Sequence, residues 1–196
     1  PVLRNYSLSG APAAGSYRVS VKREHAGAAT GYLHTRLAVG DRLDVAAPRG
    51  SFILDQTHAP VLLISAGIGA TPLLAMLHRL AEDHSDREIW WLHGARNGRE
   101  HSFAAEAKVL LASLPSVRNH VCYSHPGPRD VAGRGFDGAG RLSAALLAEL
   151  QPPLDAEAYL CGPAPFMDEI GAGLAALGIE APRIHTEPFG PAPGVT

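Results

Sequence analysis

From about Gln56 onward, short apolar runs alternate with stretches of helical period, the pattern of βαβ units on a parallel sheet. Few chains with that alternation can fold any other way. The alternation places strands over 60–65, 88–93, 118–123, 157–161 and 183–187, with helices near 72–83, 102–113, 142–150 and 164–177. The first run ends in Gly67-Ile68-Gly69-Ala70-Thr71-Pro72. Glycines there let the backbone turn sharply and bring an anion close to the N–H groups that open the next helix, and Pro72 suits a first helical turn. Without a ligand, the same spelling is a tight βα turn.

Residues 1–55 follow a different rule. In Tyr17-Arg18-Val19-Ser20-Val21-Lys22 apolar and polar side chains alternate with period two, and Arg42-Leu43-Asp44-Val45 repeats the alternation after Gly40-Asp41. These predict half-buried antiparallel strands, with one short helix from Thr30 to Leu37. Three or four strands with open edges are marginal alone, and Pro1 starts almost inside a strand, so further strands are expected upstream. The expected organisation is therefore α/β. A partial antiparallel β-barrel spans 1–55, a five-stranded parallel α/β domain spans 56–190, and 191–196, rich in Pro and Gly, reads as a linker.

A formal net charge of −2 gives no electrostatic reason to expect nucleic acid or an anionic membrane. The longest apolar run is too short to span a bilayer. Only Cys122 and Cys161 occur, each in an apolar stretch, which disfavours a disulfide framework and fits a cytoplasmic setting. The ten histidines show no ligand spacing, so no metal site is expected.

The common dinucleotide fingerprint is incomplete, because Pro72 stands in place of its third glycine and the second strand runs into His93-Gly94-Ala95-Arg96 without a terminal acid. Arg96 and Arg99 stand where a 2′-phosphate is held, or are simply solvated. Arg4 and Tyr6 share one side of an extended segment and Ser7 follows. A guanidinium there suits a diphosphate, a phenol ring suits an isoalloxazine face, and a hydroxyl suits a ring nitrogen, while an amphipathic strand explains them equally. Small residues at Gly27-Ala28-Ala29-Thr30 allow a second anion contact at a helix start. Cys161, followed by Gly162-Pro163, ends a strand, so its thiol either emerges at the carboxyl edge or packs in the core. Cys122 is read as core. Glu187 and Phe189 lie just past the last strand, where Phe189 is placed to cover a flavin face opposite Tyr6.

In this order the motifs resemble the ferredoxin-NADP reductase superfamily. Arg4-Asn5-Tyr6-Ser7-Leu8-Ser9 and Ile184-His185-Thr186-Glu187-Pro188-Phe189-Gly190 are most similar to flavohaemoprotein-type reductase modules. The resemblance implies an FAD-binding barrel beside an NAD(P)-binding domain, with hydride passing from NAD(P)H to FAD. It places Arg4, Tyr6, Ser7 and the stretch around Thr30 on FAD, and Gly67, Gly69 and Thr71 on the dinucleotide. Cys161 and Gly162 border the nicotinamide, and Glu187 with Phe189 completes the centre. It also implies an electron-accepting partner, a 2Fe-2S ferredoxin domain beyond the tail or a haem globin upstream. The rival expectation is a nucleotide-binding module that senses or docks without turnover.

Overall fold

A computed structural model describes residues 3–11, 15–24 and 27–189. Expectations that fall on Pro1, Gly190 or the tail 191–196 lie outside the described residues.

The sheet is built from β1 (Val61–Ala66), β2 (Ile89–Ala95), β3 (Val117–Tyr123), β4 (Gly138–Ala139), β5 (Glu157–Gly162) and β6 (Ile184–Pro188). All neighbours are parallel, in the order β4-β3-β2-β1-β5-β6. Period-two pleating sends alternate residues of β1 to opposite faces. Val61 and Leu63 enter a core with Ile89, Trp91 and Tyr159, roofed by α2 (Ala70–Glu82) and α3 (Ala104–Ala112). Leu62 and Ile64 enter a second core with Trp90, Leu92, Ala158 and Leu160. There the roof is α4 (Ala144–Leu150) and α5 (Ala164–Leu177). Because both faces are covered, the central strands read as continuous apolar runs.

Local chemistry sets the helix ends. The Ser143 hydroxyl accepts a hydrogen bond from the Leu146 N–H at 3.3 Å and caps α4. α5 stops at Gly178, whose φ of +107° is open only to glycine at little cost. At the amino edge, buried Glu157 is held by Arg183 and His185, each at 2.9 Å. Tyr159 stacks on His185, and its hydroxyl accepts from the Asp55 N–H at 2.7 Å. Arg87 donates to the carbonyls of Ala59 and Asp55, so the stretch leading into β1 is pinned to the sheet.

One expectation needs correction, and a second finds no support among the described residues. The parallel sheet has six strands, not five: Gly138–Ala139 pairs with Cys122 and Tyr123, and two residues are too few to show any period. Among the described residues of 3–55 no barrel sheet forms. An antiparallel bridge joins Leu8 to Val19, no residue of 3–55 lies in a strand among those described, and 42–45 carries none. The alternation at Tyr17, Val19, Leu43 and Val45 is real, but those side chains are exposed, so no second layer rewards strand pairing. The short helix α1 lies at Ala28–Thr35, two residues earlier than expected, and buries no residue. No helix among the described residues is long and apolar enough to cross a membrane.

Candidate functional site

The chain leaves β1 toward β2, β3 and β4 on one side and returns to place β5 on the other. The crevice at the carboxyl ends of β1 and β5 is therefore the topological switch point of the sheet, where open α/β folds bind ligands. Three glycines shape it. Gly67 adopts φ +55° with nothing near its missing Cβ, so its hand alone demands glycine. Gly69 has ordinary dihedrals, but a Cβ there would overlap the Cys161 carbonyl and Gly162 Cα. At Gly162 a Cβ would lie 2.7 Å from Phe166 Cδ1 and 3.4 Å from Ala66 Cβ. At Gly67 and Gly69 the seam thus presents backbone, while the Phe166 ring and Ala66 lie against Gly162.

Two helices open onto this seam. α2 continues from a 3-10 turn over Gly67–Gly69, and the Gly67 carbonyl already accepts the Ala70 N–H. α5 begins after Pro163 with no side-chain cap, so its first N–H groups and positive dipole end are left for a ligand. Pro72 sits in the first turn of α2, where its missing N–H costs nothing. Thr71 is buried and its hydroxyl donates to the Ile68 carbonyl at 3.1 Å, so it shapes the turn.

The expectation that the Cys161 thiol emerges at the edge is overturned. Cys161 is fully buried in the core beneath α2, in register with Ser65 on β1 and Glu187 on β6. Burial, with the Glu187 charge beside it, pushes the thiol well above its usual range, so it stays protonated. What Cys161 offers the seam is its backbone carbonyl against Gly69. Its partner strand brings Glu187 and Phe189 close: the Phe189 N–H reaches the Gly162 carbonyl at 3.4 Å, and the half-buried ring packs toward the same core as Cys161. Cys122 is buried as expected, its thiol pushed up to about 11, first by desolvation.

A buried polar line was not read from the sequence. His93 on β2 is fully buried, with Nδ1 2.8 Å from the hydroxyl of Ser65, its register partner on β1. Desolvation, with His101 adding to it, lowers its pKa to about 3, so the ring is neutral, and its Nε2 has no partner. His101 stacks on His93 at 4.9 Å and bonds the Tyr123 hydroxyl at 2.9 Å. The available signal was a histidine and a serine at matching positions of two apolar runs.

Arg96 and Arg99 are exposed, on a loop zipped to the one after β3. Ser124 N–H donates to the Ala95 carbonyl, His125 N–H to the Arg96 carbonyl, and Asp130 accepts from the N–H groups of Gly98 and Gly127 at 3.2 and 2.7 Å. Arg96 lies 3.8 Å from Glu100. Both guanidinium groups are exposed to solvent, Arg96 beside the Glu100 carboxylate.

Residues 63–171 match the family model described as the oxidoreductase NAD-binding domain. The chain belongs to that NAD-binding family. Its fold superposes with a TM-score of 0.84 on the flavohem-like FAD/NAD binding domain of nitric oxide dioxygenase from Vibrio cholerae, at 39% identity over 96% of this chain and 77% of that one. A flavohemoglobin from Malassezia yamatoensis with bound FAD and heme gives a TM-score of 0.80 at 28% identity, covering 94% of this chain and 46% of that one. The flavohemoprotein of Deinococcus radiodurans is 44% identical over 96% of this chain and 47% of its own length. The chain spans about half the length of the curated relatives it matches. The resemblance to reductase modules of the ferredoxin-NADP reductase superfamily therefore holds across nearly the whole chain.

Outside the matched NAD-binding portion the candidate residues are less gathered. Arg4 is exposed and donates to the neighbouring Leu3 carbonyl at 2.7 Å, while Tyr6 and Ser7 are half-buried and lie in no strand. Gly27 caps α1, Ala28 and Ala29 open it, and the Thr30 hydroxyl donates to the Gly27 carbonyl and accepts from the Glu24 N–H. Among the described residues, no hydrogen bond joins Arg4, Tyr6 or Ser7 to the switch-point edge.

Proposed function

We propose that this chain is the reductase module of an FAD-dependent NAD(P)H oxidoreductase, passing hydride from nicotinamide to flavin and then single electrons to a haem globin or 2Fe-2S partner. The observation that carries the reading is the close backbone seam of Gly67, Gly69 and Gly162 at the switch point, with the uncapped start of α5 beside it. That cradle fits a dinucleotide diphosphate, which needs close backbone approach and N–H donors. The cofactors supply the redox chemistry, and the protein binds and orients them.

In this reading residues 1–55 contribute the FAD side as part of a barrel and 56–190 bind NAD(P). Gly67, Gly69, Thr71 and Pro72 hold the dinucleotide, with Gly162 and Pro163 across the seam and Cys161 beside the nicotinamide through its backbone. Arg4 holds the FAD diphosphate with the helix start at Gly27 to Thr30, Tyr6 lies on the ring, and Ser7 donates near the reacting nitrogen. Glu187 steadies charge at the edge and Phe189 closes it. The relatives' names favour a haem partner over 2Fe-2S, and both free cysteines suit a cytoplasmic setting.

Loading the chain with FAD and adding NADH or NADPH without oxygen should bleach the flavin spectrum, and mass analysis should find FAD rather than FMN on protein from cells. A dinucleotide that binds without bleaching would support the second reading, a nucleotide-binding module without turnover. The isolation of Arg4, Tyr6 and Ser7 from the edge is what favours that reading.

Coenzyme choice is assigned to the zipped loop. Arg96→Ala and Arg99→Ala should each weaken NADPH about tenfold, the size of one exposed charge-assisted contact, and leave NADH within about twofold. Binding titrations with the two coenzymes decide it. Equal losses would remove the phosphate role.

A further inference from the structure

The segment bearing Arg4, Tyr6 and Ser7 carries exposed apolar side chains and little regular structure, yet one contact ties it firmly to the α/β unit. The Arg18 guanidinium donates to the Ser9 carbonyl and, at 2.7 Å, to Glu106 Oε1 in the first turn of α3. His78 Nε2 on α2 meets the same oxygen at 2.6 Å. Among the described residues no other side-chain ion pair joins 3–24 to the α/β unit.

The surroundings are built for this contact. The Ser9 N–H donates to the Arg18 carbonyl at 2.9 Å, the Ser9 and Ser20 hydroxyls bond at 2.8 Å, and Leu8 bridges Val19. Ser9 is fully buried. Gly10 leaves the guanidinium its room, since a Cβ there would lie 2.9 Å from Arg18 Nε. On the other side, Glu106 sits at the positive end of α3, a favourable place for an acid. Burial opposes its ionisation, but the hydrogen bonds from Arg18 and His78 outweigh that and hold the carboxyl below its usual range.

The connection is short at both ends. Ser7 is two residues from Ser9, whose carbonyl Arg18 holds. His78 lies on the helix whose first turn follows Gly67 and Gly69. We propose that Glu106 is a positioning residue: by holding Arg18 against α2 and α3, it sets the placement of Tyr6 and Ser7 relative to the switch-point turn. The inference rests on the reductase reading above, because it assigns the flavin to one side of the contact and the nicotinamide to the other. It concerns distance between two ligands, so its effect belongs in the transfer step and not in coenzyme affinity.

The test is Glu106→Gln in the full chain, which keeps the shape and loses the charge. Amide hydrogen exchange over 3–11 and 15–24 should quicken about tenfold, as expected on losing a charge-assisted hydrogen bond of roughly 1.4 kcal/mol, with β1 and β5 unchanged. In the FAD-loaded chain, flavin reduction at saturating NAD(P)H should slow about tenfold at unchanged flavin occupancy and coenzyme KM. Unchanged exchange overturns the proposal, and so does faster exchange with wild-type reduction, which leaves only a structural tether. If the wild-type flavin is not reduced at all, the reductase reading fails. The exchange measurement, which needs no flavin, then still decides whether Glu106 holds the segment.

Discussion

Gly69→Ala should abolish tight dinucleotide binding while lowering stability by about 2–3 kcal/mol, the usual cost of forcing an extra methyl into packed backbone. The loss is steric, not conformational. At φ −57° alanine is content, but its methyl would occupy the position of the Cys161 carbonyl and Gly162 Cα, so the ends of β1 and β5 must part. A shift near 1 Å at such a site is worth on the order of a hundredfold in function. Gly67→Ala is the contrast, because open space surrounds it and only its left-handed φ opposes alanine, at about 1–2 kcal/mol. Urea unfolding and NADH titration of both variants separate the cases. A Gly69→Ala protein with wild-type affinity would place the coenzyme elsewhere.

The second large effect is a loss of stability in acid that traces to His93. The native ring resists protonation down to about pH 3, whereas in the unfolded chain it gains a proton near 6.5. Its folded value is therefore depressed, and the unfolded state binds more protons throughout that window. Stability from this group is complete above pH 6.5 and declines as pH falls toward 3. At about 1.4 kcal/mol per pH unit, the full span is an upper bound of about 5 kcal/mol, and about 2 kcal/mol is gone by pH 5. His93→Gln, which still offers Ser65 a partner, should flatten the dependence between pH 7 and pH 4 even if it is less stable at neutrality. Denaturation curves across that range with the same slope as the wild type would show that other groups dominate.

What the chain's own letters disclosed depends on the kind of physics each element uses. The strands at 60–65, 88–93, 118–123, 157–161 and 183–187 lie within a residue or two of those observed. For β1, β2 and β5 the reason is that burial on both faces writes itself as an apolar run, whereas β6 is only half-buried and β3 is buried only in its second half. The turn at Gly67 and Gly69 was legible because glycine spacing encodes backbone shape. Gly138–Ala139 was not, since its membership in the sheet comes from Cys122 and Tyr123 and not from its own side chains. Cys161 shows the limit of reading a strand end. Its position at the edge was correct, but the pleat turns residue 161 toward the core that receives Tyr159. The alternation at 17–22 and 42–45 reports where side chains would sit on an extended chain. It carries no information about a hydrogen-bonded neighbour, such as Leu8 and Val19 supply for each other. Within the site, the glycines and arginines were visible one by one. Asp130, Ser65 and Glu106 were not, since each acts by joining segments distant in sequence.

The Asp130 carboxylate makes the loops after β2 and β3 mechanically one part, because a single side chain satisfies amides in both. Any attempt to graft a different coenzyme preference onto this scaffold by exchanging residues 96–103 alone would leave that carboxylate facing a foreign backbone, and would strand the Gly127 turn with it. The unit of exchange, for an engineer as for a lineage drifting between coenzymes, is the pair of loops together with their shared acid.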